Sequence, residues 1–217
     1  MMMAHIMICF NDWGKIMTKV LTFKVEIEGL EDKIWRKIEI TDKRTVADLA
    51  YSILATFRSL AYHLYDIEYK NKFYDCWIDI EDDHRDVELV NAIITKLSDI
   101  GLKKNDIMRM EYDTGSTTSF IITCLGENEF KRGNGMHYPH IIDGAGYGMI
   151  DDITDWELKK VVEDIDKTGE SHYSVLRIDK RNSEIYDYRN FDLDKNNLYV
   201  RRYFWKIKYS YEYGEEF

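Results

Sequence analysis

From Leu21 to Ile40 the chain alternates apolar and polar residues in two runs separated by a short polar break. Leu21, Phe23, Val25 and Ile27 point one way; Thr22, Lys24, Glu26 and Glu28 point the other. Successive side chains leave opposite sides of an extended backbone, so a period of two marks a strand with one buried face. Gly29-Leu30-Glu31-Asp32 makes the break. Ile34, Arg36, Ile38 and Ile40 then share a face of a second strand, with Arg36 at the edge of the aliphatic patch and Trp35 on the outer side against a helix or loop. The hairpin Lys24–Ile40 therefore commits the chain to an antiparallel sheet that something else must cover.

Thr45 with Asp48 predicts a helix start of capping-box type. Val46, Leu49, Ile53 and Phe57, joined by Ala50 and Leu54, form its apolar stripe. Leu64–Tyr69 and Phe73–Ile78 read as a further strand pair around Lys70-Asn71-Lys72. This strand-strand-helix-strand-strand order predicts an α+β fold with a mixed, β-grasp-like sheet and helices on one face. Downstream, the acidic run Asp79–Glu88 predicts an exposed loop before a helix of about ten residues ending near Leu97. Ile107–Tyr112 and Ser119–Leu125 predict two strands around Asp113-Thr114-Gly115-Ser116. Thr154 or Asp155 predicts a helix cap, with Trp156, Val161, Val162 and Ile165 as core contacts. Tyr173–Ile178 reads as a short strand or helix. From Tyr199 a second alternation, through Arg201, Tyr203, Trp205, Ile207, Tyr209, Tyr211 and Tyr213, predicts a long C-terminal strand with one aromatic face. The expected organisation is an extension over residues 1–17, one domain over 18–198, and the aromatic strand over 199–217.

At 217 residues the chain is long enough to bury a core without disulfides or a structural metal. Cys9, Cys76 and Cys124 form no CxxC pair, which points to free thiols in a reducing cytoplasm. The net charge of -10 disfavours duplex binding, which draws on neutralisation of phosphates.

The chain has no GxGxxG, P-loop, GxSxG or HExxH, and no cofactor is expected. His137 and His140, with Asp143, Asp151 or Asp152, form a candidate metal set, although Pro139 between them prevents a helical pair. Asp79, Glu81, Asp82, Asp83 and Asp86 lack the glycine turn and spacing of a calcium loop. Tyr203, Trp205, Tyr209 and Tyr211 interleave with Arg201, Arg202, Lys206 and Lys208, a pattern able to stack single-stranded bases or to pack on its own domain.

These residues, in order, resemble the plasmid pRiA4b ORF-3-like family, also labelled insertion-element passengers of TnpR type. The resemblance spans about Val20 to Leu198. It rests on Ile34-Trp35-Arg36-Lys37-Ile38 for a V-W-R-R-I pattern, the helix from Val46, and His63-Leu64 for H-L-H. Further along come Leu102-Lys103-Lys104-Asn105-Asp106, Tyr112-Asp113-Thr114-Gly115 for Y-D-x-G, Asp143-Gly144-Ala145-Gly146 for D-G-x-G, and Phe191-Asp192 for a late F-D. The resemblance implies one α+β domain and no particular activity. The chain departs from the pattern at Tyr65, where the family has a second histidine. It departs again at Ser116–Phe120, which replaces D-D-W-E-H, and at Ile141 and Gly148, which stand where the family has cysteines.

The leading expectation is a non-enzymatic binding module, linked to mobile elements, that meets a protein partner or a second copy through the C-terminal strand. One alternative is a hydrolase or nuclease-like enzyme using His63, Asp113 and Asp143 in one cleft. The other is single-strand binding through Tyr203, Trp205, Lys206 and Lys208. No membrane span is expected.

Overall fold

A computed structural model describes residues 18–76, 87–130, 139–176 and 183–214. The first hairpin forms as the alternation requires: β1 (Lys19–Ile27) pairs antiparallel with β2 (Trp35–Thr41), Phe23 opposite Ile38 and Val25 opposite Arg36. Leu21, Phe23, Val25, Ile27, Ile34, Ile38 and Ile40 are all buried. Helix α1 (Val46–Thr56) starts at a full capping box, with Thr45 Oγ1 accepting from Asp48 N and Asp48 Oδ2 accepting from Thr45 N. Strands β3 (Tyr65–Tyr69) and β4 (Lys72–Asp75) follow around Lys70 and Asn71, both at positive φ. The expected opening order is therefore present.

The segment after the acidic run departs from expectation. Glu88–Asn91 is a strand, β5, parallel to β4, followed by a turn and a 3-10 turn at Leu97–Asp99. Asn91 Oδ1 accepts from the backbone of Ile93 and closes the turn. The carbonyls of Ala92 and Thr95 take the first helical N–H groups of α1, from Ala47 and Val46. Those donors have no partner within a helix, so the segment is more valuable as an irregular cap for α1 than as a helix.

Strands β6 (Ile107–Tyr112), β7 (Thr118–Glu129) and β8 (His140–Ala145) complete an eight-stranded sheet of order β5-β4-β3-β6-β7-β1-β2-β8. Among the described strands of this sheet, only the β4–β5 pair is parallel. Helix α2 (Asp155–Thr168) is capped by Thr154 and buries Leu158, Val161, Val162 and Ile165. Trp156, expected in the core, is 63% exposed, with Lys160 over its ring. At the first turn it falls off the stripe that those four residues share. The short strands β9 (Ser174–Leu176) and β10 (Ser183–Ile185) form a separate hairpin. Cys76 and Cys124 are free, buried thiols.

The C-terminal strand is corrected outright: Leu193–Tyr213 is a helix, α3, capped by Asp192 and ended by Gly214 at φ 67°. Residues four apart satisfy both periods, so Tyr199, Tyr203, Ile207 and Tyr211 read as one strand face or one helix stripe. Tertiary packing chooses the helix. Val200, Phe204 and Ile207 are buried, and α3 lies along α1, every residue of which is buried. Lys208 Nζ reaches Asp48 Oδ1 at 2.8 Å and fastens the two helices.

Arg36 is also corrected, from the edge of the buried face to its interior, where it is fully buried. It donates to the carbonyls of Thr56 (3.2 Å), Trp35 (2.8 Å), Tyr147 (2.9 Å) and Ala145, between the rings of Phe57 and Phe191. Burial, then the neighbouring Arg58, push its pKa down to about 9, so it remains charged at neutral pH. Gly144, paired with Arg36 across β2 and β8, has to be glycine: a Cβ would stand 2.8 Å from Phe191 Cζ and 2.9 Å from the Trp35 carbonyl. Trp35 itself is half-buried on the outer face under Lys24 and Lys37 rather than a helix.

Candidate functional site

His63 lies in the short connection between α1 and β3, Asp113 just after β6, and Asp152 just before α2. The antiparallel pairing of β3 with β6 sets Tyr65 opposite Tyr112 and brings the first two residues together. The Asp113 backbone N–H donates to the Leu64 carbonyl. The third residue is brought in by its neighbour. Asp151 accepts from Ser59 Oγ (2.8 Å), Leu60 N (2.9 Å) and Tyr112 Oη (3.1 Å), tying its loop to the end of α1 and to β6. Burial holds the Asp151 carboxyl above its usual range.

The result is a cluster in which His63 Nε2 stands 2.8 Å from Asp152 Oδ1 and 3.5 Å from Asp113 Oδ2. One ligand atom from each residue lies within 4.8 Å of the others. Two donors each about 2.1 Å from one ion stand about 3.0 Å apart at a right angle and about 3.4 Å apart at the tetrahedral angle. The two His63 distances lie on either side of that range, the shorter being a direct hydrogen bond between the imidazole and Asp152.

The remaining oxygens are fixed as well. Asp113 Oδ1 accepts from Gly115 N at 2.9 Å, and Asp152 Oδ2 accepts from the Tyr62 hydroxyl. That hydroxyl, then His63, hold the Asp152 carboxyl below its usual range. The His63 ring packs 4.3 Å from Tyr62 and 5.7 Å, edge-on, from Tyr112. Its carbonyl accepts from the Tyr211 hydroxyl of α3. Asp113 and Asp152 both sit at positive φ, 65° and 63°, a backbone strain that persists where the surroundings over-determine it. Asp151 and Asp152 also line a cleft of about 180 Å³ with Arg58, Leu60, Tyr147 and Met149.

Two of the three residues expected in one cleft, His63 and Asp113, do converge. Asp143 does not. It lies on the edge strand β8, with β6, β7, β1 and β2 between it and β3, and pairs with Lys37 at 3.1 Å. Asp152, which the sequence groups with His137 and His140 as a candidate metal ligand, takes the third place. His137 lies outside the described residues, as do residues 1–17 and the acidic run Asp79–Asp86. His140 Nε2 faces Glu39 at 3.6 Å, and burial lowers its pKa. Among the aromatic-basic candidates, Tyr203 is buried against Tyr199, and Lys208 is held by Asp48. Trp205 and Lys206 face outward. A helix offers no free strand edge, so the expected route to a partner through the C-terminal strand falls away.

Several of the residues that carry the family resemblance fall in two places. Trp35-Arg36, Gly144 and Phe191 build the buried arginine, while His63-Leu64 and Tyr112-Asp113-Thr114-Gly115 build the cluster. A family profile described as "Plasmid pRiA4b ORF-3-like protein" matches residues 19–195. The chain belongs to this family. The fold is also similar to that of the solved structure of a "Protein of Unknown Function MM3350 from Methanosarcina mazei Go1". That structure is 22% identical, covers 83% of this chain and 97% of its own, and superposes with a TM-score of 0.65. At that identity the likeness shows the fold alone. No curated protein matches the chain. Among the described residues no helix is long and apolar enough to cross a membrane.

Proposed function

We propose that the chain binds a divalent transition-metal ion through His63, Asp113 and Asp152 and uses it for hydrolysis. The observation that carries this reading is the convergence of one imidazole and two carboxylates, from three separate segments, at metal-ligand spacing. An imidazole with two carboxylates suits zinc, manganese or iron rather than calcium. Three protein donors leave positions for water, which a bound ion acidifies, and for a substrate oxygen, which it polarises. Tyr62 and the Gly115 amide orient the two carboxylates, as outer hydrogen bonds do in metal sites. The cleft beside Asp152 gives the substrate its place, with Arg58 in its wall.

The test is calorimetric titration of Zn²⁺ and Mn²⁺ into the metal-free protein and into His63→Ala. Micromolar or tighter binding, with one ion per chain and its loss in the variant, is the expected result. Equal binding by both proteins, or none by the wild type, would end the reading. On the same footing we propose a cytoplasmic location, supported by the free thiols, and a β-grasp-like sheet, supported by the opening element order. A link to mobile elements rests on the family description.

A further inference from the structure

The outward face of α3 is unlike the rest of this acidic chain. Trp205, Tyr209 and Tyr213, at successive four-residue steps, are 44%, 41% and 67% exposed. Their rings form a ladder with centroids 6.0 Å and 5.7 Å apart, and Trp205 and Tyr209 are stacked. At about 100° per residue, Arg201, Arg202 and Lys206 fall on the same side of the helix, and all three are exposed. Arg201 donates to the Asn197 carbonyl, and Arg202 and Lys206 lie over Tyr203. Among the described residues none of these three meets a carboxylate in an ion pair. The acids of the helix are at its ends: Asp194 in the first turn, and Glu212 folded against Lys208.

Exposed rings flanked by cations that pair with no described carboxylate suit a ligand that offers flat π faces at intervals along an anionic backbone. A membrane surface would need apolar depth, because interfacial helices bury an apolar face. Here the apolar stripe is spent on α1 and the core, and only Leu198 is an exposed aliphatic beside the ladder. We propose that the outward face of α3 binds single-stranded nucleic acid. Trp205, Tyr209 and Tyr213 stack on bases, and Arg201, Arg202 and Lys206 hold phosphates.

The experiment is a fluorescence-anisotropy titration of the full chain with labelled oligo(U) and oligo(dT), repeated from about 20 to about 200 mM salt. Three phosphate contacts predict a slope of log K against log salt of about -2, a fall in affinity of roughly a hundredfold over that range. Tyr209→Ala is expected to weaken binding at least fivefold, and Arg202→Glu at least tenfold at low salt. Both positions are exposed, so thermal melts should match the wild type. His63→Ala should leave oligonucleotide binding unchanged, which separates this face from the metal site. No binding at about 20 mM salt would overturn the proposal. So would wild-type affinity in both variants, or preference for phosphatidylserine vesicles or an acidic peptide over the oligonucleotides.

Discussion

His63 Nε2 lies 3.5 Å from Asp113 Oδ2, and the β3–β6 pairing holds the two residues there. Because the other Asp113 oxygen is already engaged by Gly115 N, the oxygen facing His63 is the one available to an ion. Asp113→Asn should therefore keep the fold and lose at least tenfold in ion affinity. The wild type should gain about 2.7 kcal/mol of stability at a hundredfold excess of ion over Kd, and the variant no more than about 1.4 kcal/mol at the same ion concentration. Thermal melts with and without Zn²⁺ make the comparison.

Arg36 should be among the costliest positions to change. Its guanidinium satisfies four backbone carbonyls from three segments of chain, and burial leaves no water to replace it. Arg36→Met should destabilise by about 3–5 kcal/mol. Gly144→Ala should act through the same place, by driving a methyl into Phe191 and the Trp35 carbonyl. Urea denaturation of both variants is the measurement, and a loss below about 1 kcal/mol in Arg36→Met would contradict the structure.

Helix α2 offers a contrast between two apolar residues. Ile165 is fully buried, and Ile165→Ala should cost about 2–4 kcal/mol. Trp156 projects into solvent, and Trp156→Ala should change stability by no more than about 0.5 kcal/mol. Equal losses in the two variants would place Trp156 in the core after all.

Asp155 should give the chain an acid-side stability signature. Burial pushes its carboxyl pKa up to about 6, although Ser119 N donates to both of its oxygens. In the unfolded chain the value is about 3.9. The folded state therefore binds the proton more tightly, and the contribution of this group is full below about pH 4 and is lost as pH rises to about 6. Asp155→Asn should remove that decline and be more stable than the wild type at pH 7, by about 1 kcal/mol. The advantage should vanish at pH 4. Denaturation midpoints at the two pH values decide it.

Much of the scaffold was legible because it is written in local periodicity. The first hairpin, the capped helix from Val46, the β3–β4 and β6–β7 pairs and the helix after Thr154 each carry a pattern that their own residues complete. Where sequence and structure differ, two local solutions are open to the same residues. In α3, a spacing of four fits both a strand and a helix. At Glu88–Leu97, the unmet N–H groups of α1 drew the backbone into a cap. Arg36 looked like an edge residue because nothing near it in sequence shows the carbonyls that would receive it.

By itself, the sequence determined the α+β class, the family and two members of the cluster, His63 and Asp113, because these depend on short-range pattern and on motif order. The tertiary structure decided which acid completes the cluster. Asp152 reaches His63 only because Asp151 is latched to Ser59, Leu60 and Tyr112, while Asp143 is carried to the far edge of the sheet by strand order. It also decided that the aromatic tail presents a narrow outward ladder instead of a strand edge. Both outcomes follow from contacts between distant segments, which no periodicity along the chain encodes.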